Sequence, residues 1–284
     1  MKAVMDDNKM STKIKIFYGA IILVCIIAII VAICVQFAGE DKEMPLEPEK
    51  PVSNENTQEQ YKTEFDNMFE NKVNYLSNNN YTIKEKIDSQ KEIIYVGYES
   101  DDKKVNNYEL DVNIPYINIK SEQADKFNKA IKDTFEKKAK SVLNNNNNNV
   151  LYTVKYTAYV TNNILSLVIK STLKEDNNPQ RNIIQTYNYN LKNEKECTIQ
   201  DLLEMKGITK QQANEKIKEE IENVQKTVDE LEKAGYNVFS RNPENDMYSI
   251  NNVTEYFIGE DNIIYVIFAY GNQSNTSEMD IVLM

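Results

Sequence analysis

The sequence predicts an α+β fold, in which an antiparallel sheet of hairpins and a meander carries two long helices packed on it. A single transmembrane helix and a stalk precede this domain. Three observations support the prediction. β-rich runs bounded by turn residues are interrupted by two long segments of helical periodicity. An uncharged, strongly apolar run lies near the N-terminus, and an acidic stretch containing prolines follows it.

Residues 16–38 form the uncharged run, which reads IFYGAIILVCIIAIIVAICVQFA. At about 1.5 Å per residue the run reaches roughly 34 Å, enough to cross a hydrocarbon core of about 30 Å. Lysines precede it and acids follow it, so the positive-inside bias places residues 1–15 in the cytoplasm and the C-terminal domain outside the cell membrane. A cleaved signal peptide is the alternative, but its apolar core is shorter and ends at small residues. The sequence therefore favours a retained single-pass anchor.

The composition excludes several chemistries. The chain has no His and no Trp, so it cannot form a Ser-His-Asp or Cys-His triad or the usual zinc sites. Its seven Gly offer no loop that could cradle a phosphate. We therefore predict no catalytic residues, no metal and no cofactor. Acid/base chemistry by paired acids such as Glu260 and Asp261 is the open alternative, although these acids fall in a predicted turn.

The part of the chain after the predicted span is acidic. Removing the four Lys and two Asp of the stub from 33 basic and 44 acidic residues leaves 29 and 42, a net charge of about −13. Such a charge disfavours nucleic acid and attracts cationic partners, although a solvated surface is the simpler interpretation.

The chain has three cysteines. Cys25 and Cys34 lie within the predicted span and point to opposite faces of its helix, and Cys197 is the one cysteine in the domain outside the membrane. We predict a buried, unpaired thiol at Cys197, with an intermolecular disulfide as the alternative.

Two segments separate the predicted span from the domain. Residues 39–57 are rich in acids, contain three prolines and have almost no apolar residues, which is typical of an extended stalk. Residues 58–80 are predicted to contain an amphipathic helix, because apolar residues recur at spacings of three and four. These residues are Tyr61, Phe65, Met68, Phe69, Val73 and Leu76.

The α+β domain is predicted to occupy residues 88–284. It begins with two β-rich runs, 91–100 and 106–119, separated by a polar loop at Asp101–Val105. A helix capped by Ser121 follows and continues to Leu143. Its apolar stripe consists of Ala124, Phe127, Ile131, Phe135, Ala139 and Val142. The six-Asn run 144–149 then forms a loop.

The middle of the domain contains the clearest hairpin signal. The strands 151–161 and 164–173 are joined by Asn162-Asn163, a pair that tolerates the left-handed backbone of a two-residue turn. A third strand is predicted at 182–190, after the loop 174–180. Ser166 is interpreted as a strand residue, because no His is available to activate it as a nucleophile.

The last third mixes helices and strands. A short helix is predicted at 198–203, and Thr209 with Gln212 forms a capping box before a long helix that Gly235 ends. The stripe of that helix suits packing on the domain's own sheet better than a coiled coil. The stripe consists of Ala213, Ile217, Ile221, Val224, Val228 and Leu231. A hairpin at 254–270 and a strand at 279–283 are predicted to close the sheet.

The order of these segments resembles a known family. Residues 112–119, 163–171, 187–203 and 255–270 are similar to the extracytoplasmic domain of RsiV-type anti-sigma factors and PdaC-type peptidoglycan deacetylases. The resemblance covers the domain only. A deacetylase domain and a cytoplasmic segment long enough to bind a sigma factor are both missing from the sequence. The resemblance implies a cell-envelope module, which in one relative binds lysozyme.

Family members often carry a Gly-Gly-Ala-His motif in the loop after the second strand of the meander, where this chain has Lys174–Arg181. We therefore select this loop as a candidate binding loop, with Glu175, Asp176 and Arg181 as its charged residues. A plain variable loop is the alternative. The expected function is a membrane-anchored binding or sensory module of a bacterial cell envelope, with peptidoglycan or a lysozyme-like cationic protein as partner. The alternative function is a structural or accessory envelope protein that assembles through a helix.

Overall fold

The computed structural model describes residues 64–144, 149–269 and 278–284. The predicted span at 16–38 and stalk at 39–57 lie outside these ranges. Within the ranges, no helix combines the length and the apolarity that a membrane crossing requires.

The described residues form ten strands in two sheets. The large sheet has the order β2-β3-β4-β5-β6-β7, with β1 added against β4, and the small sheet has the order β10-β9-β8. The α+β class is confirmed, but the prediction that the C-terminal strands close a single sheet is wrong. The strands are β1 (Lys72–Tyr75), β2 (Ile94–Lys104), β3 (Tyr108–Ile117), β4 (Val150–Thr161), β5 (Ile164–Glu175), β6 (Arg181–Asn190), β7 (Lys195–Glu196), β8 (Glu255–Ile258), β9 (Ile264–Ala269) and β10 (Met279–Leu283).

The large sheet is mixed, which corrects the prediction of an antiparallel sheet. β3 runs parallel to the first half of β4, with Tyr108 opposite Val150. β1 runs parallel to the second half, with Lys72 opposite Thr157. A long helical connection separates β3 from β4, and such a crossover is what allows parallel neighbours. The remaining pairs are antiparallel.

The β2–β3 hairpin is longer than the sequence predicts. Asp101–Lys104 belong to β2 rather than to a loop, and the turn lies at 105–107, where Asn106 takes a positive φ of 58°. All four of these charged side chains are exposed, so extending the strand through them buries no charge. The hairpin at Asn162-Asn163 is confirmed, since both residues have positive φ and Thr161 lies opposite Ile164.

One helical rod covers one face of the large sheet. It consists of α1 (Glu122–Ile131), a π-helical segment (Lys132–Glu136) and α2 (Lys137–Asn144). The Ser121 side chain accepts a hydrogen bond from the Ala124 N–H, as the predicted cap requires. The predicted stripe lies inward: Phe127 is partly buried and the other five residues are buried.

The second helical region packs mainly on the small sheet, in a core that also includes Ile164 of the large sheet. α3 (Ile199–Lys206) begins at a capping box between Thr198 and Asp201, and α4 (Lys210–Lys233) begins at the predicted box between Thr209 and Gln212. The helix stripe joins a core with small-sheet residues such as Val266. The buried stripe residues are Ala213, Ile217, Ile221 and Val228.

The small sheet meets the large sheet through side chains. Ser166 and Asn188, both buried on the large sheet, bind the backbone of β8: the Ile258 N–H donates to Ser166 Oγ at 3.1 Å, and Asn188 Nδ2 donates to the Tyr256 carbonyl at 2.7 Å. Ser166 Oγ also donates to Asn188 Oδ1 at 2.6 Å. Thr186 also donates hydrogen bonds to Glu255 of β8. We call all of these contacts the seam.

The first described segment corrects the helix predicted at 58–80. Only Glu64 and Phe65 are helical among its described residues, and residues 72–75 form β1. Phe65 and Phe69 are buried against the small sheet. Residues 72–75 form a strand and not a helix because β3 leaves the second half of β4 unpaired, and the backbone of β4 needs hydrogen-bond partners there.

Candidate functional site

Three connections meet at one end of the large sheet. The Val150 N–H donates to the Asn107 carbonyl at 2.9 Å, and the Asp176 N–H donates to the Asn149 carbonyl at 3.3 Å. The β2–β3 turn, the start of β4 and the β5–β6 turn therefore lie side by side. We call residues 103–109, 149–151 and 174–181 the hairpin end.

Glu175, the first residue of the predicted binding loop, is engaged within the protein. Its Oε1 lies 2.6 Å from Lys138 Nζ, and its Oε2 lies 2.9 Å from an Arg181 nitrogen. The hydrogen bond from Lys138 is the main cause that holds the pKa of Glu175 below its usual value. Both carboxylate oxygens are thus occupied, and the group is held ionised. Its role in the structure is to tie the β5–β6 turn to α2.

Asp176 and Arg181 complete the predicted loop. Asp176 is exposed and takes a positive φ of 47° at the turn. Arg181 is exposed and opens β6, so its ion pair with Glu175 spans the two strands. The structure therefore brings Glu175 and Arg181 together, and it leaves Asp176 at the surface.

A cleft of about 370 Å³ opens beside this loop, between the β2–β3 turn and the start of β4. The side-chain oxygen of Asn107 is buried there and has no hydrogen-bond partner among the described residues. Sequence reasoning missed this site, because the pair Asn106-Asn107 was placed at the start of a strand. Its lining consists of Lys103, Lys104, Val105, Asn106, Asn107, Tyr108, Glu109, Asn149, Val150 and Leu151.

A second cleft, of about 440 Å³, contains a buried guanidinium group. Arg241, whose side chain is 7% exposed, lies 3.2 Å from Asp280 and 3.0 Å from Glu278. The Tyr248 hydroxyl donates to Asp280 at 3.3 Å. The charges are paired within the protein, so this cluster fixes the connection between α4 and β8 to β10. Nothing in the sequence indicated this cluster, because its charged residues are isolated from one another along the chain.

The structure also places the other residues that the sequence analysis named. Cys197 is buried and free, as predicted, and burial raises the pKa of its thiol to about 12. Ser166 belongs to the seam. Glu260 and Asp261 lie in a 3₁₀ turn between β8 and β9. Within the described ranges, no group of three or more His, Cys, Asp or Glu is placed to hold a metal ion.

No protein-family model matches the sequence, and no curated protein matches it. Two similar solved structures are DUF3298 family proteins. The one from Pseudomonas aeruginosa PAO1 is 8% identical, with a TM-score of 0.40, over 72% of this chain and 90% of the other. The one from Bacteroides fragilis NCTC 9343 is 10% identical, with a TM-score of 0.31, over 62% and 81%. Similarities this low carry no functional inference.

Proposed function

We propose that the protein is a membrane-anchored extracytoplasmic binding module of a bacterial cell envelope, without catalytic activity. The observation that carries the proposal is the hairpin end, where three connections form one surface that contains the ion pairs Lys103–Glu109 and Glu175–Arg181. Such a surface suits recognition, because ion pairs such as that of Glu175 with Arg181 hold its side chains in place before a partner binds. The uncharged run 16–38 supplies the anchor.

Two partner classes follow from the sequence and its resemblance to the RsiV and PdaC ectodomains. The first is peptidoglycan. The second is a lysozyme-like cationic protein, which the net charge of −11 would attract at low ionic strength. The same charge disfavours nucleic acid as a partner.

Binding is tested with the full-length protein in detergent. We expect retention on peptidoglycan sacculi or on immobilised lysozyme at 20 mM salt or thereabouts, and weaker retention of lysozyme at about 300 mM salt. An unrelated acidic protein of similar size serves as the control. Failure to retain either probe at low salt would contradict the binding proposal.

Membrane anchoring is tested separately. We expect the full-length protein to stay with membranes during alkaline carbonate extraction, and a variant lacking residues 16–38 to appear in the soluble fraction. Protease added to intact cells should degrade the domain but spare the N-terminal stub. A full-length protein that is released by carbonate would contradict the anchor.

A structural or accessory role through a helix is the second candidate. It is favoured by two exposed apolar side chains, Leu231 in the last turn of α4 at 38% exposure and Tyr236 just after the helix at 64%. Four other stripe residues are already buried in the domain, and Val224 is half-buried. If this role holds, Leu231→Lys with Tyr236→Ser abolishes co-purification of a membrane partner, whereas substitutions at the hairpin end leave it unchanged.

A further inference from the structure

Positive charge is concentrated on the helical rod and on the connection between β1 and β2. Residues 84–91 and 120–140 hold ten lysines and six acids, a net charge of +4. The described ranges as a whole hold 26 basic and 35 acidic residues, a net charge of −9. The two segments lie side by side, because the Lys120 N–H donates to the Lys84 carbonyl at 2.8 Å. We call their exposed side the lysine face.

The lysines of this face outnumber the acids that could neutralise them. Five of its six acids form ion pairs within the face, namely Lys86–Asp125, Lys91–Glu85, Lys126–Glu122, Lys137–Asp133 and Lys140–Glu136. Four exposed lysines have no carboxylate within ion-pair distance among the described residues, and these are Lys84, Lys120, Lys129 and Lys132. The surplus of positive charge therefore lies at the surface.

The π-helical segment keeps the outer side of the rod in line. Ile131, Phe135 and Ala139, which are buried against the sheet, follow one another at intervals of four residues. A regular α-helix would rotate such a row steadily away from the sheet, and the wider π turn compensates for part of that rotation. The same geometry holds Lys129 and Lys137 on one line along the outer side.

Asp133 lies within reach of several of these lysines at once. The hydrogen bond from Lys137 is the main cause that lowers the pKa of its carboxyl group, and the charges of Lys129 and Lys132 lower it further. Asp133 is exposed, so these lysines act on it at the surface. A second anionic group that approached the same line would be attracted by the same charges.

The lysine face lacks the groups that would suit a bilayer or a nucleic acid. Of the exposed large apolar side chains of the described residues, only Ile87 belongs to it, whereas a helix that lies on a bilayer buries a broad apolar side. The face has no exposed aromatic ring on which bases could stack. All its cations are lysines, which bind phosphate as point charges and read no base edges through a bidentate fork.

We propose that the lysine face binds a linear phosphate polymer that lies along the helical rod. The rod contains 23 residues and is roughly 34 Å long, so several phosphate groups can contact it at once. Negative charge elsewhere on the domain repels such a polymer and restricts it to this face. The proposal goes beyond the proposed function, because it concerns another surface and a partner of the opposite charge to lysozyme.

The test measures binding of fluorescently labelled inorganic polyphosphate to the full-length protein in phosphatidylcholine nanodiscs at low salt. We expect Lys129→Glu with Lys132→Glu to weaken binding about tenfold or more and to make it less sensitive to salt, since two phosphate contacts are lost. Lys216→Glu with Lys233→Glu is the matched control, because both lysines are exposed on α4 and the change in net charge is the same. The control should weaken binding no more than about twofold.

A milder pair of substitutions keeps the test valid if the charge reversal disturbs folding. Lys129→Gln with Lys132→Gln removes the two charges without adding acids, and it should weaken binding about threefold or more. Thermal unfolding of the glutamine pair and of the control pair should match that of the unsubstituted protein.

The outcomes decide the proposal without touching the proposed function. Weaker binding in both Lys129 and Lys132 pairs, with binding retained in the control, supports the surface. Absence of binding to polyphosphate at low salt overturns it, and so does equal weakening by the control pair. Stronger competition by phosphatidylglycerol vesicles or by single-stranded DNA than by unlabelled polyphosphate, at equal phosphate concentration, also overturns it. Retention on sacculi or lysozyme is measured separately, so the proposed function stands or falls on its own.

Discussion

At the residue scale, Glu255 is a carboxyl group with an unusual environment. It opens β8, and its Oε2 accepts hydrogen bonds from the Thr186 N–H at 2.7 Å and the Thr186 hydroxyl at 3.0 Å. Burial at the seam outweighs these bonds and raises its pKa to about 7. The folded protein therefore holds the proton of Glu255 more tightly than the unfolded chain does.

Stability should depend on pH through this residue. The raised pKa means that the favourable contribution is complete below the ordinary pKa of a glutamate and is lost as the pH rises through about 7. We expect Glu255→Gln to reduce the loss of unfolding free energy between pH 5 and pH 8 by roughly 2 kcal/mol. Urea unfolding at the two pH values measures it, with Glu260→Gln as an exposed control. If Glu255→Gln leaves the difference in unfolding free energy between pH 5 and pH 8 unchanged, Glu255 is not the source of the pH dependence.

Gly97 shows a second constraint at this scale. The β2–β3 register shifts between Val96 and Tyr98, and a Cβ added at Gly97 would lie 2.8 Å from Cε2 of the Tyr116 ring and closer still to its Cγ. Tyr116 cannot move freely, since its hydroxyl donates to Glu136 at 2.6 Å. The bulge thus depends on the missing side chain.

Gly97→Ala should lower the unfolding free energy by about 1–3 kcal/mol through this clash. In a Tyr116→Ala background the ring is absent, so the same substitution should cost much less. Denaturant unfolding of the four proteins of this double-mutant cycle measures the coupling. Equal costs in both backgrounds would show that the ring is not responsible.

At the element scale, the start of α4 depends on a reciprocal cap. Thr209 Oγ1 accepts from the Gln212 N–H at 3.2 Å, and Gln212 Oε1 accepts from the Thr209 N–H at 2.9 Å. Thr209→Ala should cost about 1 kcal/mol of stability. Thr227→Ala, exposed in the middle of the same helix, should be neutral or slightly stabilising. Thermal unfolding that ranks the two variants in the opposite order would contradict this role.

Signals that act over a few residues were readable from the sequence. The caps at Ser121 and Thr209, the Asn162-Asn163 turn and both helical stripes depend on neighbours within one or two turns of chain. The strand at 72–75 and the two parallel pairings of β4 depend on residues about 40 to 85 positions away. No local periodicity encodes such pairings, so helical spacing at 58–80 gave the wrong element.

The candidate site was only partly readable for the same reason. The loop 174–181 was identifiable as a connection between two strands, but the ion pair of Glu175 with Lys138 joins it to a distant helix. The cleft at Asn107 exists because β3 and β4 are parallel neighbours, which places their starts side by side. A sequence read as a purely antiparallel sheet could not bring these residues together.

At the scale of the whole molecule, the seam couples the two sheets. Asn188, 4% exposed, binds both Ser166 and the β8 backbone. Asn188→Ala would remove the acceptor of the Ser166 hydroxyl proton and the side-chain donor to the Tyr256 carbonyl, and should cost about 2–4 kcal/mol. Hydrogen exchange should then accelerate more in β8–β10 than in β4 and β5. Exchange that accelerates equally in both sheets would indicate that they do not open separately, and Asn193→Ala should change neither.

The position of β1 has a consequence for how the domain assembles. β1 is made early, yet its partner residues Thr157–Val160 are made more than 80 residues later. The hairpin of β4 and β5, by contrast, closes across two residues. Loop-closure entropy therefore favours formation of the hairpin first and docking of β1 afterwards. Until β1 docks, one edge of β4 stays open to a strand from another copy of the chain, so misassembly during synthesis should concentrate there.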